Sequence, residues 1–278
     1  MMRGMFAAIS GLRTHQVMMD VTANDIANAN TIGYKSARAT FKDSLAQMQR
    51  GAAAPGGAQG GANAAQVGLG VQLGSIDNQM GGGALQNTGG TFDVAVQGDG
   101  MFVISNSADL SGARAFTRAG NFTTNANGDL ITQEGSYVVG FTATGTPPQP
   151  TTTAGKINVP DGATSISISQ DGAVSYIDPT TKERSVAGYM QLARFANPAG
   201  LERSSGNQWI ESPNSGAAQI SQAGGEAGKT MSGMVEMSNV DLAAAFTNMI
   251  TAQRGFQASS RVISTSDEML QDLVNIKR

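Results

Sequence analysis

Apolar residues recur at alternating steps of four and three at both ends of this chain. Near the N-terminus the series is Met5, Ile9, Leu12, Gln16, Met19, Ala23, Ile26 and Asn30. Near the C-terminus it is Leu242, Phe246, Met249, Gln253, Phe256, Ser260, Ile263, Asp267, Leu270 and Val274. A seven-residue repeat places one apolar seam along a helix, the pattern of helices that pack on helices. The spacing predicts a first helix over about Arg3–Ala29. It predicts a second from Ser238-Asn239-Val240-Asp241 onward, about 38 residues and roughly 57 Å long. Ser238 or Asn239 is the expected N-cap, with Asp241 favouring the positive end of the helix dipole. Gly255, inside the second helix, costs about 1 kcal/mol relative to Ala and is explained either by close helix–helix contact, the simpler reading, or by a weak point that permits bending.

Between the helices the pattern switches to β. Hairpins are predicted where Asn-Gly or Asp-Gly turns separate short apolar runs. The first joins Phe92–Gln97 to Met101–Ser105 across Gly98-Asp99-Gly100. The second joins Phe116–Thr124 to Asp129–Thr132, with Tyr137–Thr142 as a third strand, and the third joins Ser165–Ser169 to Ala173–Ile177. Further strands are expected at Ala187–Phe195 and Gln208–Glu211, with a Pro/Thr-rich loop at Thr146–Thr153. Val67–Ile76 reads as extended, Met80–Gly90 as loop, and Ser36–Arg50 fits either a short helix or a strand. Gly51–Ala65 is a low-complexity Gly/Ala/Gln stretch. The fold class expected is α+β, with discontinuous coiled-coil-like terminal helices and a central all-β domain rich in hairpins. In residue numbers, 1–34 and 237–278 form a discontinuous helical polymerisation domain, 35–90 an extended Gly/Ala-rich linker, and 91–236 the β domain.

Composition narrows the function classes. Charged residues make up 14% of the 278 and the net charge is −3, with no basic block to track phosphates, so nucleic acid is not an expected partner. Cysteine is absent, which removes disulfides and thiolate chemistry. No apolar run reaches the roughly 18 residues of a membrane span. Arg3 followed by Met5–Ile9 is too short and too interrupted for a cleaved secretory leader, so export would need another route. The single histidine, His15, lies beside the first seam and reads as a surface or packing residue, not a general base. Without it no Ser-His-Asp constellation can be built. The acidic turns at Asp99, Asp129 and Asp171 lack the ligand density of a calcium loop, and the methionines at positions 1, 2, 5, 18 and 19 read as adaptable packing. No catalytic, cofactor or metal residues are assigned.

The segment Asn24-Asp25-Ile26-Ala27-Asn28-Ala29-Asn30-Thr31-Ile32-Gly33-Tyr34-Lys35 ends the first helix; Gly33 can take the left-handed backbone that closes it. Its amides either cap one helix or bond neighbouring chains. Together with Asp20-Val21, Leu85-Gln86-Asn87-Thr88-Gly89, Asp93–Phe102, Phe116–Phe122 and Met237–Leu242, this segment resembles the bacterial flagellar rod and hook family. Met249-Ile250, Ala252-Gln253-Arg254, Phe256-Gln257 and Asp267–Gln271 extend the resemblance to the C-terminal helix.

The resemblance implies a tubular helical polymer whose terminal helices line the inner tube. It also implies export through the flagellar type III apparatus and assembly under a hook cap, beside distal rod and hook–filament junction proteins. The ending is similar to short hook proteins, so the leading expectation is an extracellular hook subunit that transmits torque. The length and the Gly51–Ala65 insert keep the distal rod, a stiff drive shaft of the basal body, as the alternative. A secreted β-rich adhesin would explain the Thr-rich middle but not the paired repeats. The residues expected at the polymerisation interface are Met5, Ile9, Leu12, Met19, Ile26, Leu242, Phe246, Met249, Phe256, Ile263, Leu270 and Val274. The motif positions are Asn24, Asn28, Asn30, Thr31, Gly33, Tyr34, Lys35, Ser238, Asn239, Gln253 and Arg254.

Overall fold

The structure is a computed structural model that describes residues 2–54, 60–110, 112–144 and 149–276. It divides into two compact units. One is built from Met1–Ala27, Ala37–Asp77 and Asp241–Arg278, the other from Asn28–Ser36 and Asn78–Val240.

The first unit pairs the terminal helices. α1 runs Met2–Ala27, and four strands follow: β1 Ala37–Asp43, β2 Ala46–Arg50, β3 Ala65–Gly68 and β4 Val71–Asn78. The unit closes with α2, Leu242–Ile276, 35 residues or about 52 Å at the helical rise. Residues 36–50 resolve as strand, because Ala37, Ala39 and Phe41 alternate at period two. About half of the segment read as a linker is therefore strand. β1 lies on β4, and β2 forms an antiparallel hairpin with β3 across the Gly/Ala/Gln stretch, of which residues 55–59 lie outside the description.

The cap of α2 is Asp241, whose Oδ1 accepts the amides of Ala243 (2.9 Å) and Ala244 (3.2 Å). Ser238 and Asn239, the caps expected from the sequence, are engaged elsewhere. The Ser238 hydroxyl takes only the Val240 amide.

The second unit carries β5 Leu85–Asn87, β6 Val94–Gln97, β7 Met101–Ser105, β8 Arg114–Thr117, β9 Thr123–Thr124 and β10 Leu130–Ile131. It continues with β11 Tyr137–Thr144, β12 Gln149–Lys156, β13 Thr164–Ile168, β14 Ala173–Ile177 and β15 Arg184–Arg194. The last strands are β16 Glu202–Arg203, β17 Gln208–Ile210, β18 Gln219–Gln222, β19 Lys229–Ser232 and β20 Met234–Glu236. Twelve strands join in one sheet whose main path is β13-β14-β15-β11-β7-β8-β17-β16.

β7 is buried on both faces, as expected of a strand covered on both sides. Phe102 packs edge-on to Phe122 (5.0 Å) within one apolar cluster. Met101 and Val103 join the second cluster, in which Phe116 meets Phe195 edge-on at 4.8 Å beside Trp209.

The hairpins at Asn125–Gly128 and Gln170–Gly172 form as expected, and β11 adds to β10. The first expected hairpin does not form. β6 pairs with β19, and β7 pairs with β8, β11 and β15. The glycines of Gly98-Asp99-Gly100 serve a backbone crossing instead. Gly98 has φ +138, outside the range of a two-residue hairpin turn, and a Cβ there would sit 2.7 Å from Gly228. The Gly100 amide donates to Ala227 O at 2.7 Å.

The strand expected over Phe116–Thr124 is broken into β8 and β9. The expected loop at Thr146–Thr153 falls partly outside the described residues, and from Gln149 it is strand β12. Its threonines favour extended backbone, and among the described residues β12 pairs only with β11, so Pro150 sits on an edge. Met80–Gly90 is not all loop, because β5 pairs with β20.

Candidate assembly surfaces and a buried ionic knot

The helix pair of the first unit is closer than apolar residues alone would permit. The row of α2 facing α1 is Ala245, Met249, Ala252, Phe256, Ser259, Ile263, Ser266 and Leu270, with Ala245, Ala252 and Ser266 buried. Small residues alternate with large ones, and the small ones set the approach. A Cβ on Gly11 would lie 3.1 Å from Ser259 Oγ, and one on Gly255 would collide with the His15 ring. His15 therefore packs over Gly255, and the glycine is explained by close contact.

Of the expected seam, Met249, Phe256, Ile263 and Leu270 lie half-buried in this row, while Met5, Ile9, Leu12, Met19 and Ile26 are half-buried on α1. Leu242, Phe246 and Val274 are exposed, as are Gln253 and Arg254. The sequence reading missed the alternate row because Ala and Ser carry no strong apolar signal.

Beyond the seam, much large apolar surface is open. Phe6, Leu242, Phe246, Ile250, Val262, Met269, Leu273 and Ile276 are each at least 45% exposed on the helices. Phe41, Met48, Leu73 and Ile76 are exposed on the strands of the same unit, and Leu45 on the connection between β1 and β2. Isolated exposed apolar residues need no explanation, but a unit carrying this many on every element is short of partners.

The motif residues from Asn28 to Lys35, with Ser238 and Asn239, form a different structure, within the second unit. Asn28 and Thr31 are half-buried, with the Thr31 hydroxyl on Asn28 Oδ1 at 3.1 Å, and Asn24 and Asn30 are exposed. Gly33 does not close the helix, which already ends at Ala27. Its φ of +68 lets its amide donate to Glu236 O at 2.7 Å, and a Cβ there would press on Ala119 N at 2.5 Å.

The following Lys35 is fully buried. Its Nζ lies 2.6 Å from Glu236 Oε1 and donates to Gly81 O at 2.8 Å. Glu236 Oε1 also accepts the Gly83 amide, and Arg118 Nη1 reaches Oε2 at 3.1 Å. Arg118 donates further to Val96 O and Gly98 O. Burial pushes the Lys35 ammonium below its ordinary pKa; the hydrogen bond and charge of Glu236 pull it back up, and Arg118 lowers it further.

Around this knot Arg203 stacks on Tyr34 and Trp209 and donates to Lys35 O at 2.6 Å, while Asn207 Nδ2 donates to Ile32 O. Asn239 Oδ1 accepts the Ser36 amide at 2.8 Å, and its Nδ2 donates to Gln79 O. The asparagine expected to cap α2 instead ties residues 28–36 to the strand end before α2. Arg118, Arg203 and Glu236 were not picked out as site residues, because nothing local marks a charge that will be buried by partners far along the chain.

Among the described residues no three His, Asp or Glu side chains gather as metal ligands, and no helix is long and apolar enough to cross a membrane.

Three family profiles match in order along the chain. One described as flagellar basal body rod protein covers residues 5–35. One described as the flagellar hook protein FlgE/F/G D1 domain covers 95–176, and one described as the flagellar basal body rod FlgEFG protein C-terminal region covers 231–276. The outer two carry Lys35 and Glu236. The flagellar basal-body rod protein FlgG of Bacillus subtilis (strain 168) is 43% identical, with 100% of both chains covered in 280 aligned residues. That of Caulobacter vibrioides is 37% identical over 97% of each chain. The flagellar hook protein FlgE of Borreliella burgdorferi is 27% identical with 100% of both chains covered, but the alignment runs over 445 residues. With two terminal helices, a central β unit and full-length relatives well above 30% identity, this chain belongs to the flagellar rod and hook protein family, the structural components of the bacterial flagellum.

Proposed function

We propose that this chain is a subunit of the flagellar rod, in its distal segment, and not of the hook that the sequence reading placed first. The observation that carries this is length-matched identity. The rod relatives align over about the chain's own length, whereas the hook relative aligns only across 445 positions, many of them absent from this chain. The exposed apolar residues of the first unit support polymerisation through that unit, with the helices within 1–27 and 241–278 at its centre and the strands of 37–77 added to them. A heterologous contact that does not close on itself generates an open helical filament, the form a rod requires. Export through the flagellar type III apparatus, assembly under a cap and a place in the basal body go with this reading. The subunit's work is then mechanical and needs no active site.

Electron microscopy of basal bodies from a deletion strain tests it. Axial structures that arrest before the rod is complete, with no hook, are expected. Basal bodies with a full-length rod and only the hook missing would overturn the rod assignment in favour of the hook.

A further inference from the structure

α1 has a second apolar face that its own α2 does not cover. Phe6, Ile9, Thr14 and Val17 of α1 and Val71 and Leu73 of β4 line an open groove of about 370 Å³, with Arg13 at its rim. The groove is a built feature. The Val71 amide donates to Ser10 Oγ at 3.2 Å, and a Cβ on Gly70 would collide with that same oxygen, so β4 is held tightly along the helix. Its walls are apolar, and Arg13 is exposed, with no ion pair among the described residues.

α2 offers two exposed apolar ridges that could fill such a groove in a second copy. At 100° per residue they lie on opposite flanks of the row that meets α1. The ridge of Leu242, Phe246 and Ile250 occupies one flank of the first half. The ridge of Val262, Met269, Leu273 and Ile276 occupies the other flank of the second half. Charge separates them. Beside the first ridge, Arg254 stands one turn beyond Ile250, and Asp241 is spent on capping the helix. Placed in the groove, that ridge would bring one arginine towards another. The second ridge is flanked on its solvent side by the exposed Arg261, Glu268 and Asp272, with Asp272 one turn before Ile276, so its flank is net acidic where that of the first ridge is basic.

We infer that the α1–β4 groove of one copy receives the Val262–Ile276 ridge of α2 from a second copy, with Arg13 facing Asp272 and Glu268. The inference rests on the polymerisation reading above and deepens it by naming the two surfaces. Groove and ridge are different patches of one chain, so each copy still has a free ridge and a free groove after pairing. The contact propagates with a fixed polarity.

The absence of cysteine makes the test direct. Full-length chains carrying Leu73→Cys with Met269→Cys, or Leu73→Cys with Phe246→Cys, are expressed in place of the natural protein. Isolated basal bodies are treated with a short bismaleimide. The 73/269 pair should give a ladder of multimers and the 73/246 pair none. A ladder from 73/246, a 73/269 product that stops at dimers, or no product in basal bodies that contain the chain would each overturn the inference while leaving the rod assignment intact. A chain absent from basal bodies altogether would instead overturn the assignment on which the inference rests.

A charge exchange gives a second readout. Arg13→Glu should reduce the assembled fraction about tenfold or more by setting like charges together. Adding Asp272→Arg with Glu268→Arg should restore it. Failure of the exchange to rescue, or an Arg13→Glu chain that assembles normally, counts against the pairing.

Discussion

Glu236→Gln is the sharpest perturbation of the second unit, because it keeps the shape of the side chain and removes only its charge. In the native knot the carboxylate lies 2.6 Å from Lys35 and 3.1 Å from Arg118, and all three residues are at most 4% exposed. At an effective dielectric near 20, charges at these separations attract by about 5–6 kcal/mol per pair. Removing three ions from water costs several kcal/mol each, so the intact cluster contributes little net stability. The substitution loses the attraction and keeps the desolvation of both cations.

Arg118 cannot shed its proton, whereas Lys35 can, which limits the loss. The expected cost is therefore about 3–5 kcal/mol at neutral pH, the range for breaking a buried pair from one side. For a unit of this size that lowers the unfolding midpoint by about 6–20 °C.

The pH profile carries the mechanism. Lys35 already titrates below its unfolded value of 10.5, so between the two pKa values the folded state binds fewer protons and stability rises with pH. Without the Glu236 charge its Coulombic pull on the Lys35 pKa is lost and the hydrogen bond that also raises it is weakened, so that window extends to lower pH. The variant should recover part of its loss as pH rises from neutral towards the lysine range, more steeply than the natural protein does. Denaturant unfolding followed by Trp209 fluorescence, at a series of pH values, measures both quantities. A variant within about 0.5 kcal/mol of the natural protein and with the same pH slope would refute the reading of this site as a stability-determining knot.

Gly255→Ala should separate α1 from α2, since the new methyl meets the His15 ring, and His15→Ala in the same chain should restore the pairing. Helicity from circular dichroism checks this; a single variant that only gains the roughly 1 kcal/mol of helix propensity would contradict it. Phe256→Asp, half-buried in the same row, should block assembly while leaving the unfolding of the β unit unchanged, whereas normal rods carrying it would show that the row is not needed. Burial raises the Asp129 pKa, but hydrogen bonds from Asn158 and Asn125 and the charge of Lys156 outweigh it, and the net shift is downward. Its contribution is therefore complete above the unfolded value near 3.8 and is lost as pH falls through the folded one, so Asp129→Asn should flatten the acid limb of the stability profile. An acid limb unchanged in that variant would show that Asp129 does not set it.

What the sequence determined by itself was whatever depends on near neighbours in the chain. A seven-residue period marks a helix regardless of its partner, and Asn-Gly and Asp-Gly turns fix a local backbone, so both helices and the two tight hairpins were legible. Gly255 marked either a close contact or a bend, because a glycine inside a helix requires a reason, and the His15 ring over it decided for contact. Tertiary structure decided the rest. Gly98-Asp99-Gly100 looks like a hairpin turn until Ala227 and Gly228 arrive to cross it, and only then is β6 committed to β19. Ala245, Ala252 and Ser266 are unremarkable letters that become the buried row of α2 because small side chains let two helices approach. Glu236 and Lys35 are 201 residues apart, and neither has a local reason to be buried. Burial of a charge is decided by the ion that meets it, and which ion meets it is a property of the fold.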